Sequence, residues 1–418
     1  MHQSAKLSLS VSKLLAILGP GFYLIGYNIG TGSVTTMASA GSRWGMSLTW
    51  TVILSCFFTY VGLYAFSRYT LITGDTVLYA VRQRFPFGKL LGFFIMSAVI
   101  IAEFFSLTGL SAIVVDLLHE WIAYATGFRH SLIKLALTVT LAAVLFALLW
   151  TGEYQLLEKI LTALVMIMGM AFLITAVLVV PSWKDILAGL LPRVPPEPDA
   201  SLIVAGMAGT TFSSSILYCR SITIKEKGWR LADRKKADFD TAVSVLMMFL
   251  LSIAIMICAA GTLYVMNRPV ENAIDMVRTL EPLAGKFAIS LFILGIVGAG
   301  VSSLIPTILI APWVLSDYTN RKINPATGNS RFFVLLGVLV CLTGPYIRTN
   351  PVALMVLTMA LLAVILPLST IAITLLLNQK RLGEKKNTLL LNAACLGAIL
   401  FSLVMSYYGL IGISSYFD

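Results

Sequence analysis

Two short clusters of glycine and hydroxyl residues stand inside otherwise apolar sequence. One is Gly30-Thr31-Gly32-Ser33; the other is Thr210, Thr211, Ser213, Ser214 and Ser215, just after Gly206 and Gly209. Glycine two residues from glycine, flanked by hydroxyls, is poor helix sequence, so each cluster is expected to break a helix. A broken helix leaves free N–H groups at the start of its second half, where the macrodipole favours negative charge. The chemistry on offer is reversible capture of a small solute by amides, carbonyls and hydroxyls. Bond cleavage is not expected. Ser213, Ser214 and Ser215 have no positioned base, there is no HExxH motif, and His2, His119 and His130 all lie at or near segment ends. The chain therefore reads as a transporter and not an enzyme.

Two charged residues stand beside these clusters. Glu103 is the one acidic residue well inside an apolar run, and an intramembrane carboxylate is a functional candidate by default. It reads equally as a proton or coupling group and as a satisfied structural carboxylate. Arg220, one to two turns past Ser215, either adds positive potential to the site or marks the inner end of its span. Asp116, Glu153, Glu158, Asp240 and Glu281 read as ordinary interfacial residues. The five cysteines (Cys56, Cys219, Cys258, Cys341, Cys395) are scattered singly, with neither metal-ligand nor disulfide spacing. No cofactor is expected.

The elements that must position these groups follow from composition. Of 418 residues, 58% are hydrophobic and 12% charged, and the mean hydropathy is +0.90. A soluble domain is about 25% charged. Apolar runs long enough to cross ~30 Å of hydrocarbon recur along the whole chain, which makes it an all-α polytopic membrane protein. Eleven spans are expected near 13–41, 46–69, 89–118, 131–150, 154–181, 200–224, 239–266, 283–315, 331–347, 351–377 and 388–411. No cleavable signal is expected, because the first apolar stretch runs on into more membrane sequence.

The formal charge of +11 comes from 30 Lys and Arg against 19 Asp and Glu. Counted over alternate connections, 21 of the 30 cations share the side of the N-terminus. That bias predicts a plasma (inner) membrane protein with its N-terminus cytoplasmic and its C-terminus extracytoplasmic. The most basic stretch, KEKGWRLADRKKAD at 225–238, reads as an anchor to anionic lipid rather than a nucleic-acid site. The expected partners are a small solute or ion, the lipid bilayer and a coupling proton or sodium ion, with no nucleic acid. No stretch between the spans is long enough for a soluble output domain, which argues against a transport-dead sensor.

The two interrupted spans lie five spans apart, the sequence pointer to inverted repeats with a site at the bilayer midplane. Several motifs sharpen this: GPGF at Gly19–Phe22, AGSRWGMSLTW at Ala40–Trp50, SRYTLITGDTVLYAVRQRFP at Ser67–Pro86, AEF at Ala102–Phe104, LLEKI at Leu156–Ile160 and LFILGIVGAGVSS at Leu291–Ser303. In this order the chain resembles the NRAMP family of proton-coupled divalent-metal transporters over nearly its whole length. The resemblance implies a leucine-transporter-type fold: a single transporter domain with one five-helix repeat at about 13–181, an inverted one at about 200–377, and an extra helix at about 388–411. It also implies that Glu103 matches the family's proton-pathway glutamate.

The departures from the family fall where metal should bind. Its DPGN turn aligns with Gly30-Thr31-Gly32-Ser33, so Asp becomes Gly30 and Asn becomes Ser33. Its ligand methionine becomes Ser213, its two histidine positions become Ser215 and Arg220, and a span-ten glutamine becomes Met359. Neutral hydroxyls and carbonyls make a poor transition-metal site. The expected site is therefore Gly30, Thr31, Gly32, Ser33, Thr210, Ser213, Ser214 and Ser215, with no metal held by side chains. The expected substrate is a small anionic or zwitterionic solute, such as a carboxylate or bicarbonate. The alternative is a hydrated divalent cation, Mg²⁺ or Mn²⁺, moved with protons as in the family.

Overall fold

The computed structural model describes residues 30–417, apart from 152–154, 285–287, 323, 325 and 326. The longer helices are α1 (Thr31–Trp44), α2 (Thr49–Thr73), α3 (Val77–Arg84), α4 (Gly88–Thr126), α5 (Ser131–Thr151), α6 (Gln155–Leu178), α7 (Trp183–Ala188), α8 (Pro198–Thr211), α9 (Ser214–Glu226), α10 (Arg234–Ala259), α11 (Ala288–Thr319), α12 (Gly328–Thr343), α13 (Pro351–Leu377) and α14 (Leu389–Phe417). Among the described residues, nine helical segments are long and apolar enough to cross a membrane, with α8 and α9 counted as one. The other two expected spans appear as α1, whose preceding half lies outside the described residues, and as α6.

Element ends depart from the sequence reading in two informative places. The span expected at 89–118 is the 39-residue α4, because no proline or glycine pair follows Leu118 until Gly127 caps the helix in the left-handed conformation at φ 75°. The basic stretch at 225–238 is mostly helix: α9 runs to Glu226 and α10 begins at Arg234. Its short connection holds Trp229, which packs against Leu71, Ile224 and Ala237.

Packing places the interrupted helices at the centre. α1 lies against α8, α10 and α13, and α8 lies against α13 and α14, while α4 and α11 form an extensive pair. The α8–α9 window is wholly buried within the chain, whereas α5 and α14 bury only 28% of theirs. A membrane helix that hides every face from lipid can carry hydroxyls on all sides.

Close approach at the centre depends on glycine, since small residues let helix backbones meet. A Cβ at Gly209 would overlap the carbonyl oxygen of Met359 on α13, and one at Gly206 would come within 3.2 Å of the Val356 carbonyl oxygen. Gly209→Ala is therefore expected to cost about 1–3 kcal/mol or more, the range for overpacking against a rigid neighbour. Thermal unfolding in detergent measures this; an unchanged melting temperature would show that α8 and α13 separate freely.

Candidate functional site

The break expected at 210–215 is present, and it shares one cavity with Gly30 and the start of α1; the residues before Gly30 lie outside the described ones. α8 stops at Thr211, Phe212 leaves the helix at φ −114° and ψ 86°, Ser213 is extended at φ −119°, and α9 starts at Ser214. Gly30, also extended at φ −107°, precedes α1. Neither Gly30 nor Ser213 caps its helix with a side-chain hydrogen bond. The first-turn amides of α1 and α9 thus look for partners elsewhere. The Ser33 hydroxyl and the Thr210 hydroxyl are 2.8 Å apart, so one hydrogen bond ties the first turn of α1 to the last turn of α8. Thr59 on α2 donates to the Thr211 carbonyl at 3.1 Å and holds the end of α8 from its other side.

The cavity at these breaks encloses about 30 Å³, room for one or two waters or a single ion. Of the expected site residues, Gly30, Gly32, Ser33, Thr210 and Ser213 line it, as does Glu103 from α4. Thr31, Ser214 and Ser215 are buried but do not line it. Ser214 accepts a hydrogen bond from Ser369 of α13 at 2.9 Å, and Ser215 shares one with Ser213 at 3.0 Å. Those two hydroxyls hold the start of α9 in place.

Arg220, expected either to add positive potential to the site or to mark the inner end of its span, is not part of this lining. Its side chain is fully buried and ion-paired with Asp240 of α10. The remaining donors reach the Ser67 hydroxyl at 2.8 Å, the Ala237 carbonyl at 2.9 Å and the Thr241 hydroxyl at 2.9 Å. Asp240 is correspondingly no interfacial residue, since it too has no exposed surface. The guanidinium had to find a carboxylate because a buried unpaired charge is too costly to keep.

Other lining residues escape the sequence reading. Ser106 joins Glu103 on α4, Ser303 and Thr307 come from α11, and Met355 joins Met359 on α13. A signal exists: Glu103/Ser106, Ser303/Thr307 and Met355/Met359 are spaced three or four residues apart, so each pair shares a helix face. The methionines come close to the first break, since a Cβ at Gly32 would meet Met355 Cε at 2.7 Å and Met359 Sδ at 2.9 Å.

This lining changes the chemistry expected from sequence. In place of a pocket of neutral hydroxyls and carbonyls alone, the cavity also holds a carboxylate and two thioethers. The Glu103 carboxyl group stands at the cavity that the starts of α1 and α9 adjoin. Gly209 and Thr210 bring the carbonyl end of α8, the negative pole of that half-helix, to the same place. Among the described residues, no group of three or more His, Cys, Asp or Glu side chains is placed to hold a metal ion.

Comparison with known proteins places this architecture. The family profile described as natural resistance-associated macrophage protein-like matches residues 22–412. The divalent metal cation transporter MntH of Pectobacterium carotovorum is 26% identical over 357 residues, 84% of this chain and 82% of that protein. MntH of Klebsiella pneumoniae strain 342 is 25% identical over 94% of this chain and 93% of its own length. The Eremococcus coleocola manganese transporter, in its crystal structure with an aromatic bis-isothiourea substituted compound, superposes with a TM-score of 0.73 at 14% identity, covering 99% of this chain and 89% of that one. Mhp1, a nucleobase-cation-symport-1 family transporter, superposes at 0.57 with 15% identity, covering 94% and 92%. With helical architecture throughout the described residues, a central interruption between α8 and α9, and a family match over nearly its full length, the chain is a membrane transporter of the NRAMP family, built on the leucine-transporter-type fold.

Proposed function

We propose that the chain carries a divalent metal cation, with part of its hydration shell, through the cavity at the two broken helices. The observation that supports this reading is Glu103. A carboxylate lining a cavity of about 30 Å³ opposes an anion there and offsets the dehydration of a cation. Arg220, the positive group on which an anionic substrate would lean, is committed to Asp240 outside the lining. The MntH relatives are named as divalent metal cation transporters, in keeping with this choice.

The ligand set also bears on which cation. Hydroxyls, carbonyls and one carboxylate suit a hard, partly hydrated ion. The thioethers of Met355 and Met359 add soft donors that favour Mn²⁺ or Fe²⁺ over Mg²⁺. The distribution of Lys and Arg supports an orientation with the N-terminus in the cytoplasm, and the matched breaks support two inverted repeats at about 13–181 and 200–377. Uptake into proteoliposomes tests the substrate. Saturable Mn²⁺ uptake, competed by Fe²⁺ better than by Mg²⁺, is expected. Uptake of bicarbonate or an amino acid with no Mn²⁺ flux would overturn the reading.

A further inference from the structure

Asp317, in the last turn of α11, is a buried carboxylate that the central cavity does not use. It is 7% exposed and does not line the cavity at the broken helices. Its Oδ1 accepts a hydrogen bond from the Thr76 hydroxyl. Its Oδ2 has no hydrogen-bond partner among the described residues, and no Lys or Arg among them forms an ion pair with it. The other buried carboxylates among the described residues are better placed: Glu103 lines the central cavity and Asp240 is paired with Arg220. A carboxylate near the end of a span could simply turn to water. This one is held inside.

What holds it is a junction of four helix ends. Thr76 stands at the N-cap position of α3, where a threonine hydroxyl usually accepts from the first turn of its own helix. It makes no such bond and donates to Asp317 instead. The Ser221 hydroxyl of α9 takes over the cap, accepting from the Val77 N–H at 2.9 Å, and shares a hydrogen bond with Thr70 of α2 at 2.8 Å. Arg82 of α3 donates to the Tyr318 carbonyl at 2.6 Å and lies 4.7 Å from the centre of the Tyr318 ring. The ends of α2, α3, α9 and α11 thus meet beside Asp317.

A cavity of about 110 Å³ opens at this junction, and Asp317 lines it with Thr76 and Ile222. The charged and titratable groups that face Asp317 are Lys225, Glu226 and the buried Tyr218 of α9, Arg321 and Lys322 after α11, and Asp75 before α3. Lys225 donates to the Asn320 side chain at 3.1 Å, and Asp75 is paired with Arg84. Three cationic side chains around one cavity oppose a metal ion, which would also need several oxygen ligands. A proton needs only one oxygen.

We propose that Asp317 is a proton-binding site whose charge state latches the ends of α3, α9 and α11 together. Neutral Asp317 keeps its bond to Thr76 and leaves no charge in the interior, so the ends stay joined. Ionised Asp317 is a buried charge without a counterion, which is costly. The ends then part, water enters through the cavity, and Lys225 leaves Asn320 for the carboxylate. The latch goes beyond the cation reading and does not depend on which ion the central cavity carries.

Infrared spectroscopy and thiol labelling of the purified full chain, both in metal-free buffer, test the two parts. The acid-minus-alkaline infrared difference spectrum is expected to contain a carboxylic-acid C=O band that Asp317→Asn removes. An unchanged spectrum in that variant would overturn the proton site. For the latch, Ile222→Cys, at a cavity residue 3% exposed, is labelled with a water-soluble methanethiosulfonate. The wild-type chain gives the background, since its five cysteines are buried. Thiolate formation alone speeds such labelling as pH rises, so each rate is divided by that of the same thiol in the Asp317→Asn background. The quotient is expected to rise severalfold from acid to alkaline buffer; a flat quotient would overturn the latch. Should Asp317→Asn fail to fold, Thr76→Val, which keeps shape and removes the hydroxyl, takes its place. It is expected to move the infrared band and the pH midpoint of labelling, and a variant that moves neither would overturn the proposal.

Discussion

Glu103→Gln is expected to abolish most divalent-metal uptake while leaving the protein folded. The substitution preserves shape and removes the carboxyl group that Glu103 brings to the cavity beside Gly30, Ser33 and Thr210. Loss of a group that merely orients a metal ligand costs about 10–100-fold, so loss of the one carboxylate that lines the cavity among the described residues should cost at least as much. Glu103→Asp keeps the charge on a shorter stem and should retain measurable Mn²⁺ uptake. Both variants are read by initial uptake rates in proteoliposomes together with melting temperature in detergent. A structural carboxylate would give the reverse pattern: Glu103→Gln would lower the melting temperature and transport Mn²⁺ at the wild-type rate per folded molecule. That result would remove the main support for a cation substrate.

The sequence shows which helices break but not which way the side chains at the breaks point. Gly30-Thr31-Gly32-Ser33 and the cluster after Gly209 are conspicuous because glycine and hydroxyl residues are rare inside apolar spans. Their azimuth depends on neighbours hundreds of residues away: Ser369 draws Ser214 aside, while Thr210 and Ser33 meet across a separation of 177 residues. Met355 and Thr307 escape notice for another reason. An apolar or weakly polar residue in a hydrophobic helix has the same composition whether it faces lipid, core or cavity, and only tertiary packing distinguishes them. Glu103 is legible because a lone carboxylate in such a run has so few acceptable surroundings.

Two opposite charges that pair inside the fold look unrelated along the chain. Asp240 stands near the start of α10, close enough to the basic stretch to resemble an end-of-span acid, and Arg220 stands near enough to Ser215 to resemble a site cation. Each reading treats the residue alone. Folding brings α9 and α10 together so that the two groups, 20 residues apart, share a hydrogen bond in the fully buried interior.

That pair carries the largest stability effect expected in the chain. Asp240→Leu leaves the Arg220 guanidinium buried with Ser67, Thr241 and a carbonyl as its hydrogen-bond partners, and Arg220→Met takes from the Asp240 carboxylate its ion-pair partner. Each single change is expected to cost about 3–5 kcal/mol, the range for breaking one half of a buried ion pair. The double replacement Arg220→Met with Asp240→Leu removes both charges and should recover most of that loss, because two well-packed apolar residues can match a buried pair. Melting temperatures of the three variants in detergent read the coupling; additive losses would show that the two residues act independently. Mn²⁺ uptake by the refitted double variant then separates support from transport. Wild-type rates per folded molecule would confine Arg220 to holding α9 against α10. A folded but inactive double variant would return Arg220 to the transport cycle, acting through the orientation of α9 and its start at Ser214 rather than through contact with the ion.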